Sequence, residues 1–312
     1  MDSRRNKLLA LALVAMLAAS ASLAWIGRDE ERIAVDRTLF TVAETEKINK
    51  VSMVRAADSV ELVFDGTGWS VNGAWDADLQ MIKVLMATIM QAEPHRPVAA
   101  SRVDTVNSQL DQRGTLVTLS ITDAPQKVFT AGGNAGKSEA WFRNNSDRRP
   151  YVMIIPGYRV YVSGIFELPA SGWREKRVFD LNWRNFKSLT ASYPKEPAAG
   201  FVAEMKQRAP GIRGLAAVDT TKLSDYLDAV SLLMARRFVA PGVADSIIRR
   251  GPVARVEVRD IADRAYGLDL FAPGKNDEEV YGRLDNGEIV AFDRSDIPAI
   301  VRRKAWFVAA KQ

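Results

Sequence analysis

The 312-residue chain contains no cysteine and one histidine, His95. Without a thiol it can form neither a disulfide framework nor a thiolate nucleophile, and Cys-ligated zinc and iron–sulfur clusters are excluded. A metal site that needs two histidines cannot come from one such chain. Long runs of one charge are missing, as is any Pro/Gly/Ser-rich linker between residues 35 and 312, so the body reads as continuous folded material. Hydrophobic residues make up 47% and charged residues 26%, a composition able to form a packed core. Lys plus Arg number 43 against 38 Asp plus Glu, a net charge of +5. Three basic residues and one acidic residue fall in the first 27, leaving 40 against 37 beyond them. So small and interspersed a surplus does not favour nucleic acid as a partner.

The one long apolar run is Leu8 to Ile26, 19 residues without a charge. As a helix rising 1.5 Å per residue it spans about 28 Å, close to the thickness of bilayer hydrocarbon. Arg4, Arg5 and Lys7 precede it, and the mixed Arg28-Asp-Glu-Glu-Arg32 follows. The positive-inside bias therefore predicts a cytoplasmic tail over residues 1–7, a transmembrane helix over 8–26 and a body outside the cytoplasm. In a bacterial cell this is a single-pass inner-membrane protein with a periplasmic body. A cleaved signal peptide is the competing reading, because Ala19, Ala21 and Ala24 could serve a peptidase. Retention is favoured by the run continuing through Leu23, Trp25 and Ile26. Both readings export the body, and without cysteine a lipoprotein anchor is impossible.

Beyond the leader, short β-rich runs with period-two alternation predict antiparallel strands at Ile48 to Arg55, Val60 to Phe64 and around Trp69-Ser-Val-Asn-Gly73. Asp78 is placed at the N-cap of an amphipathic helix carrying Leu79, Ile82, Leu85, Met86 and Ile89 on one face. A second helix is expected over Val103 to Gln112, stopped by Gly114 at the C′ position. Five strand candidates follow, beginning at Thr115, Lys127, Ala140, Tyr151 and Tyr158. The same order then recurs. A shift of 141 positions carries Asp78 onto Asp219, Ile82 onto Leu223, Leu85 onto Tyr226, Ile89 onto Val230 and Arg96 onto Arg237. The fold class expected is α+β: an N-terminal transmembrane helix, then two duplicated antiparallel-sheet units, each with one main amphipathic helix, over residues 40–172 and 184–310.

Ala131-Gly-Gly-Asn-Ala-Gly136-Lys137-Ser138 satisfies a permissive phosphate-loop pattern. The aromatic, turn-rich sequence after it leaves no room for the helix whose N-terminus must face the phosphate, so it reads as a hairpin turn and no nucleotide is expected. His95, between Pro94 and Pro97, lies on an expected extended connector with no nucleophile signature beside it. Asp58, Asp65, Asp76, Asp78, Asp260 and Asp263 fall at turns and helix starts, where Asp serves as a cap. The Asp285-Asn-Gly-Glu288 stretch likewise reads as a hairpin turn. Arg249-Arg250 and Arg302-Arg303-Lys304 read as solvated faces. No catalytic residue, metal site or cofactor is expected. The densest aromatic and β-branched stretch runs from Tyr151 to Phe166. It is either a strand pair buried between the units or an interface for a membrane partner, in which Tyr151, Tyr158, Arg159, Tyr161 and Phe166 have hot-spot composition.

The membrane helix, the Trp69-Ser-Val-Asn-Gly73 turn, the Trp75-Asp-Ala-Asp78 helix start and Gly172-Trp-Arg-Glu-Lys-Arg-Val-Phe179 together resemble a bacterial family catalogued as domain of unknown function 4340. The resemblance implies an envelope protein of the kind often encoded beside ABC-type transporters and gliding-motility accessory subunits, and it supplies no catalytic residues. The function expected is that of a non-enzymatic, membrane-anchored accessory subunit that binds protein partners. Two alternatives stay open. One is a periplasmic module binding a small ligand or glycan between the units, with Trp173 and Trp183 as stacking surfaces. The other is a hydrolase using a carboxylate pair.

Overall fold

The computed structural model of the chain describes residues 35–309 except 43, 57, 207–208, 241 and 275–276, together with Met16 and Ser20. The expected cytoplasmic tail and, but for those two residues, the expected transmembrane helix lie outside the described residues. Among the described residues no helix is long and apolar enough to cross a membrane.

The chain is α+β, with two antiparallel sheets. In the first half the strands are β1 (Lys50–Arg55), β2 (Asp58–Phe64), β3 (Trp69–Val71), β4 (Trp75–Asp76), β5 (Glu93–Pro97), β6 (Thr115–Ile121), β7 (Ala124–Gly133), β8 (Ala140–Asn144) and β9 (Pro150–Ile154). Helices α1 (Leu79–Gln91) and α2 (Val103–Arg113) are inserted on either side of β5. Their sheet has the order β4-β3-β2-β1-β6-β7-β8-β9-β5. The second half supplies β10 (Phe186–Ser192), β11 (Phe201–Lys206), β12 (Ala209–Ile212), β13 (Arg237–Phe238), β14 (Ala254–Asp260), β15 (Ala265–Leu270), β16 (Glu279–Leu284) and β17 (Ile289–Asp293). Helices α3 (Thr220–Ser231) and α4 (Asp245–Ile248) again flank the short strand β13. Here the order is β12-β11-β10-β14-β15-β16-β17-β13, the order of the first sheet without its edge strand β4.

By compactness the chain divides into one unit composed of Met1–Glu61 and Lys83–Glu167 and another composed of Leu62–Ile82 and Leu168–Gln312. The second unit thus includes β3, β4 and the first turn of α1. The core of the first unit is aromatic. Phe129 stacks on Phe142 at 4.7 Å, Phe40 and Phe166 meet these rings edge to face, and Tyr151 meets Phe40 in the same way. Each such pair contributes about 0.5–1.5 kcal/mol beyond the area it buries. The core of the second unit gathers Leu189, Ala203, Leu223, Tyr226, Val230, Val258, Leu268, Phe292 and Phe307 beneath α3.

Both main helices start as their sequences dictate. The Asp78 carboxylate accepts main-chain hydrogen bonds from Gln80 at 2.8 Å and Met81 at 3.3 Å. Asp219 accepts one from Lys222 at 3.1 Å. Each cap satisfies amide groups the helix itself leaves unpaired. Ile82, Leu85 and Ile89 face the core, whereas Leu79, expected on the same face, is exposed. The two caps share a tertiary bond as well. The main-chain N–H of Asp78 donates to the carbonyl of buried Trp173 at 2.8 Å, and that of Asp219 donates to the carbonyl of buried Phe307 at 2.9 Å. Isolated bridges follow in step, Ala77 with Arg174 and Val218 with Val308.

Three expectations are corrected. Tyr158 to Val162 is not a strand, because Gly157 turns the chain with φ +80° and a 3₁₀ helix begins at Val162. The missing strand is β5, expected as a connector, which pairs antiparallel with β9. Its prolines cannot donate to a ladder and so confine it to the sheet edge, with a register shift between Pro94 and Arg96. Gly114 ends α2 as expected but with φ −67°, not in a left-handed conformation. Glycine is required there by space: a Cβ would lie 2.4 Å from the Leu110 carbonyl oxygen and 2.6 Å from a Thr130 methyl. Gly251, after α4, does take the left-handed form, with φ +76°. Gly114→Ala is expected to cost about 1–3 kcal/mol in urea unfolding. Gly136→Ala, whose added Cβ would meet nothing closer than the Ser138 hydroxyl at 4.0 Å, is expected to be near neutral. Equal effects would refute the steric reading.

Candidate binding cleft

The second unit contains a cleft of about 720 Å³. One wall is the β3-β4 hairpin. Asn72 (φ 51°) and Gly73 (φ 64°) make its turn, and the Val71–Trp75 and Ser70–Asp76 pairings hold Trp69 and Trp75 on the two short strands. Main-chain bonds extend this wall to residues 173–175: the N–H of Asp78 donates to Trp173, and that of Glu175 donates to Asp76 at 2.9 Å.

Arg174 is buried in this wall. It is 8% exposed, and its guanidinium carbon lies 3.6 Å from the centre of the Phe238 ring and 4.4 Å from that of Trp75. Its Nη2 donates to both carboxylate oxygens of Glu288 at 2.6 Å. The Trp75 indole N–H donates to the same carboxylate at 3.0 Å, as does the Asn286 amide. Arg174 Nε is buried with no hydrogen-bond partner among the described residues, as is the indole N–H of Trp173. A buried guanidinium is costly unless paired. Here one carboxylate neutralises it, and each ring face contributes about 0.5–2 kcal/mol of cation–π attraction.

The opposite wall comes from Arg264 to Gly267 and the Asp285 to Glu288 turn, where Gly287 has φ +85°. A Cβ on Gly267 would fall 2.3 Å from an Asp285 carboxylate oxygen and 2.5 Å from Arg255 Nη2, so a larger residue there would have to displace that ion pair. That carboxylate is held by Arg255 at 2.8 Å, which also reaches Asp269 at 3.1 Å, and Asp269 accepts from Arg283 at 2.8 Å. Asp260 anchors the turn below. Burial opposes its ionisation, but Arg264 donates to it at 2.7 Å and the amides of Arg264 and Ala262 donate at 2.9 Å, so its carboxyl stays below the ordinary range.

The residues singled out from sequence lie elsewhere. Tyr151 and Phe166 are buried in the aromatic core of the first unit, whereas Tyr158 and Arg159 are exposed. Tyr161 donates a short hydrogen bond to Glu167, which also pairs with Lys137 at 3.2 Å. Burial and that bond push its hydroxyl well above the ordinary phenol range. The Tyr161 ring occupies the space where a Cβ on Gly133 would be. These five residues therefore divide between core and surface. The phosphate-loop-like stretch is the β7-β8 hairpin, with the Asn134 side chain accepting from the amides of Ser138 at 2.8 Å and Glu139 at 3.1 Å. His95 is exposed on β5. Trp173 is fully buried, and Trp183 is half exposed with its indole donating to Asp228 at 2.9 Å. Among the described residues no group of three His, Asp or Glu side chains is placed to hold a metal ion.

Sequence reasoning missed the cleft, although its signal was present. Three of the four stretches that carried the family resemblance line it: Trp69 from the turn, Trp75 and Asp76 from the helix start, and Arg174, Glu175 and Arg177 from the Gly172 to Phe179 stretch. Glu288→Ala strands the buried guanidinium. Because Glu288 is 26% exposed, the expected loss is about 2–4 kcal/mol, somewhat below that for a fully buried pair. Chemical denaturation should show this loss, with recovery of at least half of it in the double variant Arg174→Met, Glu288→Leu. A single variant within error of the parent would show that the pair holds nothing together.

Residues 69–248, more than half of the chain, match the family described as a domain of unknown function. No curated protein and no solved structure matches the chain. The chain belongs to the family Domain of unknown function (DUF4340).

Proposed function

We propose that the protein is a non-enzymatic accessory subunit that binds partner proteins through the cleft of its second unit. In this proposal a single helix over residues 8–26 anchors it in the inner membrane, its body is periplasmic, and it serves an ABC-type transport or gliding/secretion assembly. The observation that carries the proposal is the make-up of the cleft. Trp69, Trp75, Tyr266, Arg174 and Arg264 on its walls are the residue types that dominate binding energy at protein interfaces. The uncharged run of Leu8 to Ile26 behind three basic residues supports the anchor. The common strand order, and the matching bonds from Asp78 to Trp173 and from Asp219 to Phe307, support an internal duplication of one α+β unit.

A second reading is favoured by one dimension. The cleft volume of about 720 Å³ lies within the range of small-molecule sites, as a ligand- or glycan-binding module requires.

Photo-crosslinking in living cells tests the first reading. With a photoreactive amino acid at Trp69 or Tyr266, both positions should yield adducts to the same envelope protein, whereas Tyr158 should not. Alkaline phosphatase fused to the carboxyl end should be active. Adducts from Tyr158 alone, or an alkaline phosphatase fusion that is produced but inactive, would overturn the proposal.

A further inference from the structure

We infer that the occupant of the cleft is a basic polypeptide segment, one that presents lysine or arginine side chains to its walls. The inference rests on the partner-binding reading and names the chemistry of the partner. Its first support is charge. The cleft is lined by five acidic residues, Asp76, Glu175, Asp180, Asp285 and Glu288, against three basic ones, Arg174, Arg177 and Arg264. The chain as a whole carries +5. A basic segment is therefore repelled by the protein at long range and attracted at this concavity, where walls of low dielectric focus the field.

The second support is that the wall already holds a guanidinium. Arg174 sits between the Trp75 and Phe238 rings and on the Glu288 carboxylate. Two further aromatic residues and two further carboxylates, Trp69, Tyr266, Asp76 and Asp180, line the same cleft. The third concerns which charges are already taken. Arg174 is tied to Glu288, and Arg264 to Asp260 at 2.7 Å. Asp285 is tied in turn to Arg255 at 2.8 Å. Among the described residues of the lining, Asp76, Glu175 and Asp180 make no ion pair, against Arg177 alone on the basic side. The acidic side of the balance is thus the one left to face an occupant. A neutral glycan would gain ring contacts but nothing from the charge, and an anionic ligand would be repelled.

Fluorescence anisotropy with the full-length chain in nonionic detergent tests this. The probes are a fluorescein-labelled peptide of alternating glycine and lysine, its glycine and glutamate counterpart, and cellohexaose as competitor. The basic peptide should bind, and its affinity should fall at least about ten-fold between about 50 mM and about 500 mM salt. Asp76→Asn with Asp180→Asn should weaken binding by about ten-fold, a size expected for removal of two attractive charges. Glu46→Gln with Asp225→Asn, the same charge change away from the cleft, should leave it unaltered. Failure of the basic peptide to bind, or equal loss in both double variants, overturns the inference. So does salt-insensitive displacement by cellohexaose, or binding of the acidic peptide that is lost in Trp69→Ala. The in-cell crosslinks do not depend on the partner's charge, so they stand or fall separately.

Discussion

A guanidinium withdrawn from water must find a carboxylate and something to replace its hydration, and Arg174 finds both within one unit of this chain. The carboxylate is Glu288, on the turn between β16 and β17. The replacement for water is a pair of rings, Trp75 from β4 and Phe238 from β13. One interaction therefore gathers side chains from four segments that are far apart in sequence, on top of the main-chain bonds that join β4 to residues 173–175 and β13 to β17. The Trp75 indole adds a second donor to Glu288, so the carboxylate is held from two directions. Removing Glu288 would leave the buried Arg174 guanidinium without its carboxylate.

The two sheets share a strand order and a matching bond at the cap of the main helix, and Arg174 and Trp75 lie where that correspondence stops. The cap of α1 bonds to Trp173 and the cap of α3 bonds to Phe307, with bridges one residue further on in each case. At that bridge the first repeat has Arg174 and the second has Val308, which is about half exposed. The first sheet ends in β4, for which the second has no equivalent, and β4 carries Trp75. The scaffold is shared, then, while the stacked arginine and one of its two rings belong to the first repeat alone.

What could be read from sequence was what is local. The caps at Asp78 and Asp219, the hairpins at Ala131 to Ser138 and Asp285 to Glu288, and the meander strands from Thr115 through Ile154 each depend on neighbours within a few residues. Proline misled at β5, because a strand at a sheet edge tolerates residues that cannot donate. Aromatic density at Tyr151 to Phe166 left two readings open, and there two of the rings fill a core and one closes over Gly133, while Tyr158 and Arg159 are exposed. Composition alone does not tell an interface from an interior. The cleft was illegible for a different reason. Residues 75, 174, 238 and 288 share no spacing, and only the folding of the second unit brings them together.

The most direct measurement is hydrogen–deuterium exchange on the chain, with and without any protein that the cleft positions capture by crosslinking. Binding in the cleft should slow exchange over residues 67–77, 174–178, 264–267 and 284–288, the segments that line it. Slowing confined to residues 156–161, with the cleft segments unchanged, would place the partner on the first unit and contradict the cleft as the binding site.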